Sequence, residues 1–449
     1  MSTATPSPRF TEPPLVSTPE AGTRPTRTRL SMLALLLLAT TINYVDRSNL
    51  SIVAPFLSRE LGLDPVQMGL LFSAFAWSYA VANLPGGYLI DRFGSRVVYG
   101  VAQLSWSAAT LLLGFVSGFG ALFGLRFAVG LAEAPAFPVN NRVVSTWFPQ
   151  RERGRATSTY ASGQYIGSAL LSPLLFWMAV NHGWRSVFLF TGLAGIASAI
   201  VWFALYREPR ESTRANAAEI DLIAAGGALT TMAPREHLTW PQVSRLLRER
   251  QVWALGLGKF ATMSSLYFLL TWFPTYLVRE RGLTSLKAGA ATSLPYIAAT
   301  LGVLLGGLWS DWLLRRGAGI SAARKIPIVS GFLGASCIIL VNYIEGSALA
   351  LTILTLAYFA QGISGNSWSI IAEVAPRNLM GICGGIINFT AQLAGITTPI
   401  VIGYILRETG SFEWVLAYVS IAGIVGALSY TVILGRVHRI EILSVSRET

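Results

Sequence analysis

The chain has 449 residues, of which 53% are hydrophobic and only 12% charged, and its mean hydropathy is +0.53, whereas a soluble globular domain carries about 25% charged residues. That balance excludes an ordinary soluble protein and describes a chain that crosses a membrane many times. The formal net charge of +12 could suggest a nucleic-acid partner, so it has to be located along the chain first.

Residues 1–29 repeat Ser, Thr and Pro around Arg9, Arg24, Arg27 and Arg29, the composition of a disordered tail. The apolar run that follows is long enough to span and has no small-residue cleavage site after it, so no cleavable signal is expected. Runs of about 20 apolar residues recur near 30–54, 66–90, 97–117, 119–142, 155–180, 184–206, 251–278, 287–313, 325–343, 347–373, 380–407 and 412–436. Backbone groups in hydrocarbon must be bonded internally, so these runs are expected to be helices. The fold class is therefore an all-α membrane protein of twelve transmembrane helices in two six-helix bundles, 30–206 and 251–436, joined by a linker over 207–250 and followed by a tail over 437–449. Within the linker, Thr239 precedes Trp240 and Pro241, and Val243, Leu246 and Leu247 alternate with Arg245, Arg248 and Arg250. That pattern predicts a capped amphipathic helix along the inner surface.

With both termini cytoplasmic, 25 of the 34 Lys and Arg fall on the cytoplasmic side and 6 on the other: Arg59, Arg185, Arg279, Arg281, Lys287 and Arg407. Topology thus accounts for the basic balance, and nucleic acid is not an expected partner. The two halves also echo each other. GGYLIDRFGSR (86–96) recurs as GGLWSDWLLRR (306–316), and FPQRERG (148–154) as APRNLMG (375–381). Duplicated halves predict a binding site near the bilayer midplane between them.

Charge inside the spans is the anomaly. Asp46 and Arg47 lie in the first span, Arg126 and Glu133 in the fourth, and each costs roughly 2.5–3.5 kcal/mol at a membrane centre on insertion scales. Counting rise along the two antiparallel helices puts Asp46 roughly 22 Å from the inner end and Arg126 roughly 9 Å from the outer one. In a core of about 30 Å these depths coincide, so Asp46 is expected to face Arg126, with Glu133 deeper. The four charges sum to zero when both carboxylates are ionised. Protonating them leaves two arginines to attract an organic anion, which links proton uptake to anion binding. The alternative is a static ion-pair cluster that only fixes helix packing. Tyr44, Tyr79 and Gln164 from the first half, and Tyr267, Ser367, Trp368, Asn388 and Gln392 from the second, are candidate ligands for hydroxyl groups. Each could equally serve interhelical bonding. Lys259 is read as snorkelling inward or as a third cation of the site.

Gly87, Asp91, Arg92 and Gly94 form a GxxxDRxG phrase, with a weaker copy at Gly307 and Asp311, that resembles the signature of the major facilitator superfamily; Ser95 departs from it, standing where a base is usual. The order NYVDR, RFAVGLAEAPAFP, WFPQRERGRA more narrowly resembles the anion:cation symporter family, which includes bacterial sugar-acid carriers. The resemblance runs over roughly 30–436. It implies the major facilitator fold and a proton-coupled symporter that imports a small organic anion, such as a hexonate, hexarate or hexuronate. It further implies Asp46 and Glu133 as proton carriers, Arg47 as the ligand of a substrate carboxylate and Arg126 as the ion-pair partner of Asp46. Asp91, Arg92 and Asp311 would belong to a conformational latch, and Tyr44, Tyr79 and Gln164 would lie near the substrate. The expected setting is the cell's inner membrane, with the chain acting as a monomer in the lipid bilayer.

An uncoupled, sodium-coupled or exchange carrier for an aromatic or dicarboxylic acid is the nearest alternative, followed by a non-transporting receptor or an intramembrane enzyme. No GxxxxGK[ST] occurs, and His182, His237 and His438 show no ligand spacing, so no ATP site, metal or other cofactor is expected. Cys337 and Cys383 read as small packing residues.

Overall fold

The computed structural model describes residues 24–228, 240–376 and 379–440. The first half comprises α1 (Thr28–Leu61), α2 (Pro65–Leu113), α3 (Phe119–Glu133), α4 (Ala136–Trp147), α5 (Gln150–His182) and α6 (Trp184–Leu205). Two short helices follow, α7 (Ala217–Ala225) and α8 (Trp240–Arg248). The second half comprises α9 (Arg250–Thr271), α10 (Phe273–Arg279), α11 (Ser285–Arg315), α12 (Ile320–Ser336), α13 (Ser347–Ser364), α14 (Trp368–Val374), α15 (Met380–Thr409) and α16 (Glu413–Leu428). Among the described residues there is no strand, and nine helical stretches are long and apolar enough to cross a membrane. The other three expected spans fall in α2 and in α9 with α10.

Where a loop is expected between the second and third spans, α2 instead runs for 49 residues and breaks only at Gly94, with φ 75° and ψ 161°. No Cβ contact opposes a side chain there, so the need for glycine is conformational. Asp64 starts α2 with a reciprocal capping box to Gln67, and Pro65 occupies the first turn. Pro135 separates α3 from α4, as its missing amide dictates. Helices pack closely where glycine faces a carbonyl. A Cβ on Gly130 of α3 would collide with the Phe75 carbonyl of α2, and one on Gly362 of α13 with the Ala299 carbonyl of α11. These are the same pair of spans in each half.

One apolar core joins the halves at the end away from the termini, running from Leu50, Val53 and Phe72 through Phe176 to Phe268, Phe273, Tyr358 and Leu406. There Phe72 meets Trp272 edge-on at 5.3 Å, and Ser293 of α11 donates to the Ala169 carbonyl of α5 at 2.5 Å. At the terminus-bearing end each half has its own core, one around Trp106, Trp147 and Trp202, the other around Phe332, Ile371 and Tyr430. The molecule is therefore sealed at one end, with the halves joined there by a shared core.

The linker is fastened to the first half by a device the sequence reading missed. Asn216 caps α7 by accepting from the Glu219 amide at 2.9 Å. The buried Glu219 carboxylate then accepts from Thr26 Oγ1 (2.6 Å), the Thr28 and Arg29 amides (3.0 and 3.1 Å) and Arg29 Nη1 (3.1 Å). It caps α1, whose own cap residue Arg27 supplies no side-chain bond. The predicted amphipathic helix corresponds to α8, with Leu246 buried and Arg245 and Arg248 exposed. Its proposed cap Thr239 lies outside the described residues, as do the tails 1–23 and 441–449.

Candidate functional site

Asp46 and Arg47 are consecutive on α1 and so point about 100° apart. Arg47 turns toward the second half. Its Nε and Nη2 donate to Glu133 Oε1 at the end of α3, and its guanidinium lies over the rings of Tyr44 (4.7 Å), Phe75 (4.7 Å) and Tyr79 (5.0 Å). The Arg47 side chain keeps 14% exposure while Glu133 has none. From the second half, Tyr267 of α9 lies within electrostatic range of Arg47, Tyr44, Tyr79 and Glu133, and its hydroxyl donates to Gln392 Oε1 at 3.3 Å. A planar cation backed by aromatic faces, with hydroxyl and amide groups around it, suits a hydroxylated carboxylate.

Asp46 turns the other way. It is fully buried and faces Trp106 of α2, Thr191 of α6 and, from α3, Arg126 and Glu133. Neither of its carboxylate oxygens has a hydrogen-bond partner among the described residues. Arg126, also buried, donates through Nη1 to the Asp46 peptide carbonyl at 3.1 Å. The structure brings the four charges into one cluster, with pairings other than the Asp46–Arg126 side-chain pair expected. Glu133 takes Arg47, and Arg126 meets Asp46 through the backbone.

The remaining candidates divide. Gln164 is half-buried beside Tyr165, which faces Tyr44, and Asn388 is exposed one turn before Gln392 on α15. Ser367 is buried against Tyr430 in the core of the second half, away from Arg47. The Trp368 side chain lies outside what is described. Lys259 is buried within α9 rather than reaching the surface. Asp91 pairs with Arg142 Nη1 at 3.7 Å, Arg92 donates to the Tyr88 hydroxyl at 3.2 Å, and Asp311 pairs with Arg324 at 3.2 Å. Each of these contacts stays within one half. Phe75 and Asn43, which faces Glu133, were not anticipated. Phe75 lies one turn from Tyr79 and stacks on it at 5.3 Å, and that spacing was the only available sign. Among the described residues no cluster could hold a metal ion.

The Major Facilitator Superfamily profile matches residues 36–399. The chain belongs to that superfamily. Among curated relatives of this superfamily member is the "Probable galactarate/D-glucarate transporter GudP" of Escherichia coli K12, 42% identical over 434 residues, which cover 94% of this chain and 96% of that one. The D-galactonate transporter of Escherichia coli O6:H1 is 42% identical over 431 residues, covering 94% and 99%. The hexuronate transporter of Bacillus subtilis is 33% identical over 389 residues, covering 86% and 90%. Among solved structures, a D-xylose-proton symporter aligns with a TM-score of 0.72 at 14% identity, covering 91% of this chain and 98% of that one. At that identity the likeness establishes the fold alone. The superfamily and these relatives are transporters, so the chain is a carrier and not an enzyme.

Proposed function

We propose that the chain is a proton-coupled symporter that imports a sugar acid, a hexonate, hexarate or hexuronate, by alternating access between bundles 30–206 and 251–436. The observation that carries this reading is Arg47, partly exposed, set over three aromatic rings and held by Glu133, with Tyr267 of the opposite half in the same neighbourhood. The names of the relatives supply the substrate class. In this mechanism Glu133 occupies the fork of Arg47 while ionised; protonation weakens that pair and frees the fork for a substrate carboxylate. Asp46 carries the second charge change beside Arg126. Tyr44, Tyr79, Gln164, Asn388 and Gln392 hold the hydroxyl groups, while Asp91, Arg92 and Asp311 steady the end that opens. The Lys and Arg distribution supports cytoplasmic termini in an inner membrane, so the sealed end faces outward and the site communicates inward. The carrier acts as a monomer. The test is uptake by proteoliposomes of galactarate, glucarate, galactonate and glucuronate under an imposed proton gradient. Gradient-dependent accumulation of at least one of them is expected, and accumulation of none would contradict the proposal.

A further inference from the structure

Coupling at Asp46, which rests on the reading above, leaves a question of access. Arg47 and Glu133 lie toward the second half, but Asp46 has no exposed surface and faces α2 and α6. Beyond Gly94, α2 places Ser95, Tyr99, Gln103, Trp106, Ser107 and Thr110 at intervals that keep them on one side of the helix. All six are at most 1% exposed. Each carries a polar atom without a hydrogen-bond partner among the described residues: Ser95 Oγ, Tyr99 OH, Gln103 Oε1, Trp106 Nε1, Ser107 Oγ and Thr110 Oγ1.

Polar residues that serve only packing bond one another across the interface. In this file Gln103 does, donating to Ser198 of α6 at 2.9 Å, whereas Trp106 and Ser95 lie close to Asp46 and Tyr206 without meeting hydrogen-bond geometry. Buried polar groups that protein does not satisfy are normally met by ordered water with two to four polar partners. Gly195 lets α6 approach Ser107 closely, since a Cβ there would collide with the serine hydroxyl. Toward one end of the file, with Ser107 and Thr110 beyond it, Trp106 faces Asp46. The other end is Ser95, which faces the buried Tyr206 hydroxyl, and Tyr206 in turn faces the half-buried Glu208 at the terminus-bearing surface.

We propose that this face of α2, with α6, is a hydrated proton path between Asp46 and the surface at Tyr206 and Glu208, separate from the route of the organic anion. The proton leaving the Asp46 carboxyl group passes to the first water. Each hydroxyl or water along the file accepts one proton and releases another, and the last passes to bulk water, so Ser107 and Tyr99 end unchanged. The Gln103 amide and the Trp106 N–H orient waters and carry no net proton.

The test uses the full chain in proteoliposomes, with Tyr99→Phe, Gln103→Met, Asp46→Asn and the wild type side by side. Substrate exchange without a gradient reports folding and binding, and accumulation driven by a proton gradient reports coupling. Gln103→Met is expected to exchange within about two-fold of the wild type while its gradient-driven rate falls by about ten-fold or more. Tyr99→Phe, which removes one oxygen, is expected to show a smaller fall in the same readout with a larger solvent deuterium isotope effect. Exchange and accumulation falling together in both variants, or neither changing while Asp46→Asn loses accumulation, would overturn the path alone. A wild type that accumulates substrate without using the proton gradient would overturn the coupling at Asp46 and the path with it.

Discussion

At Arg47 a planar guanidinium does two things an ammonium does less well: it offers parallel donors to a carboxylate, and it spreads its charge over the rings of Tyr44, Phe75 and Tyr79. Arg47→Lys is therefore expected to weaken substrate binding by about 2–3 kcal/mol, roughly 30- to 150-fold in Kd, read by ligand-induced thermal shift. Affinity unchanged within about two-fold would remove Arg47 from the substrate. Asp46→Asn is expected to abolish gradient-driven accumulation, since the amide cannot carry the proton; full accumulation would relieve Asp46 of its role. The residues Asp46, Arg47, Arg126 and Glu133 were legible in the sequence because charge inside an apolar span is costly. Their partners were not. A helical wheel gives each side chain a direction but not the neighbour it meets, so the Arg47–Glu133 pair and the Arg126 bond to a peptide carbonyl emerge only from the packing. Phe75 was hidden for another reason: an aromatic in an apolar run carries no signal of function.

At the scale of elements, α7 and the start of α1 depend on one carboxylate. Burial raises the pKa of Glu219, but hydrogen bonds from Thr26, the Arg29 and Thr28 amides and the Arg29 guanidinium outweigh it and hold the group below its ordinary 4.5. A folded value below the unfolded one means the stabilisation is complete above the unfolded pKa and is lost as pH falls through the folded one. Glu219→Gln is expected to lower stability by about 1–2 kcal/mol at neutral pH, and the difference from wild type should narrow at an acid pH below the ordinary glutamate range. Thermal unfolding in detergent at both pH values checks this. A deficit that persists at low pH would assign the loss to packing instead. The twelve apolar runs were readable because lipid demands continuous hydrophobicity. The joining of the second and third spans into α2 was not, because a single glycine at φ 75° turns the chain without a loop. Nor was α7 expected, since a short helix between two charged stretches has no apolar run to announce it.

At the scale of the whole molecule, the sealed end is held by two reciprocal glycines. A Cβ on Gly69 would lie 2.5 Å from the Pro399 carbonyl, and one on Gly403 2.5 Å from the Pro65 carbonyl, so α2 and α15 close only while both lack side chains. Gly403→Val is expected to open this end, seen as a longer distance between spin labels at the start of α2 and the end of α15. An unchanged distance would show that the shared apolar core seals the end without them. The repeated GGYLIDRFGSR and GGLWSDWLLRR foretold two related halves, yet nothing local in the sequence foretold which end is joined, because that depends on contacts between residues more than 100 positions apart. The central claim is that substrate and proton move together through these halves. Its most direct measurement is the external pH of lightly buffered proteoliposomes when a hexarate or hexonate is added outside. Coupled import gives an immediate alkalinisation that scales with uptake and disappears in Asp46→Asn, whereas uptake with no proton movement would overturn it.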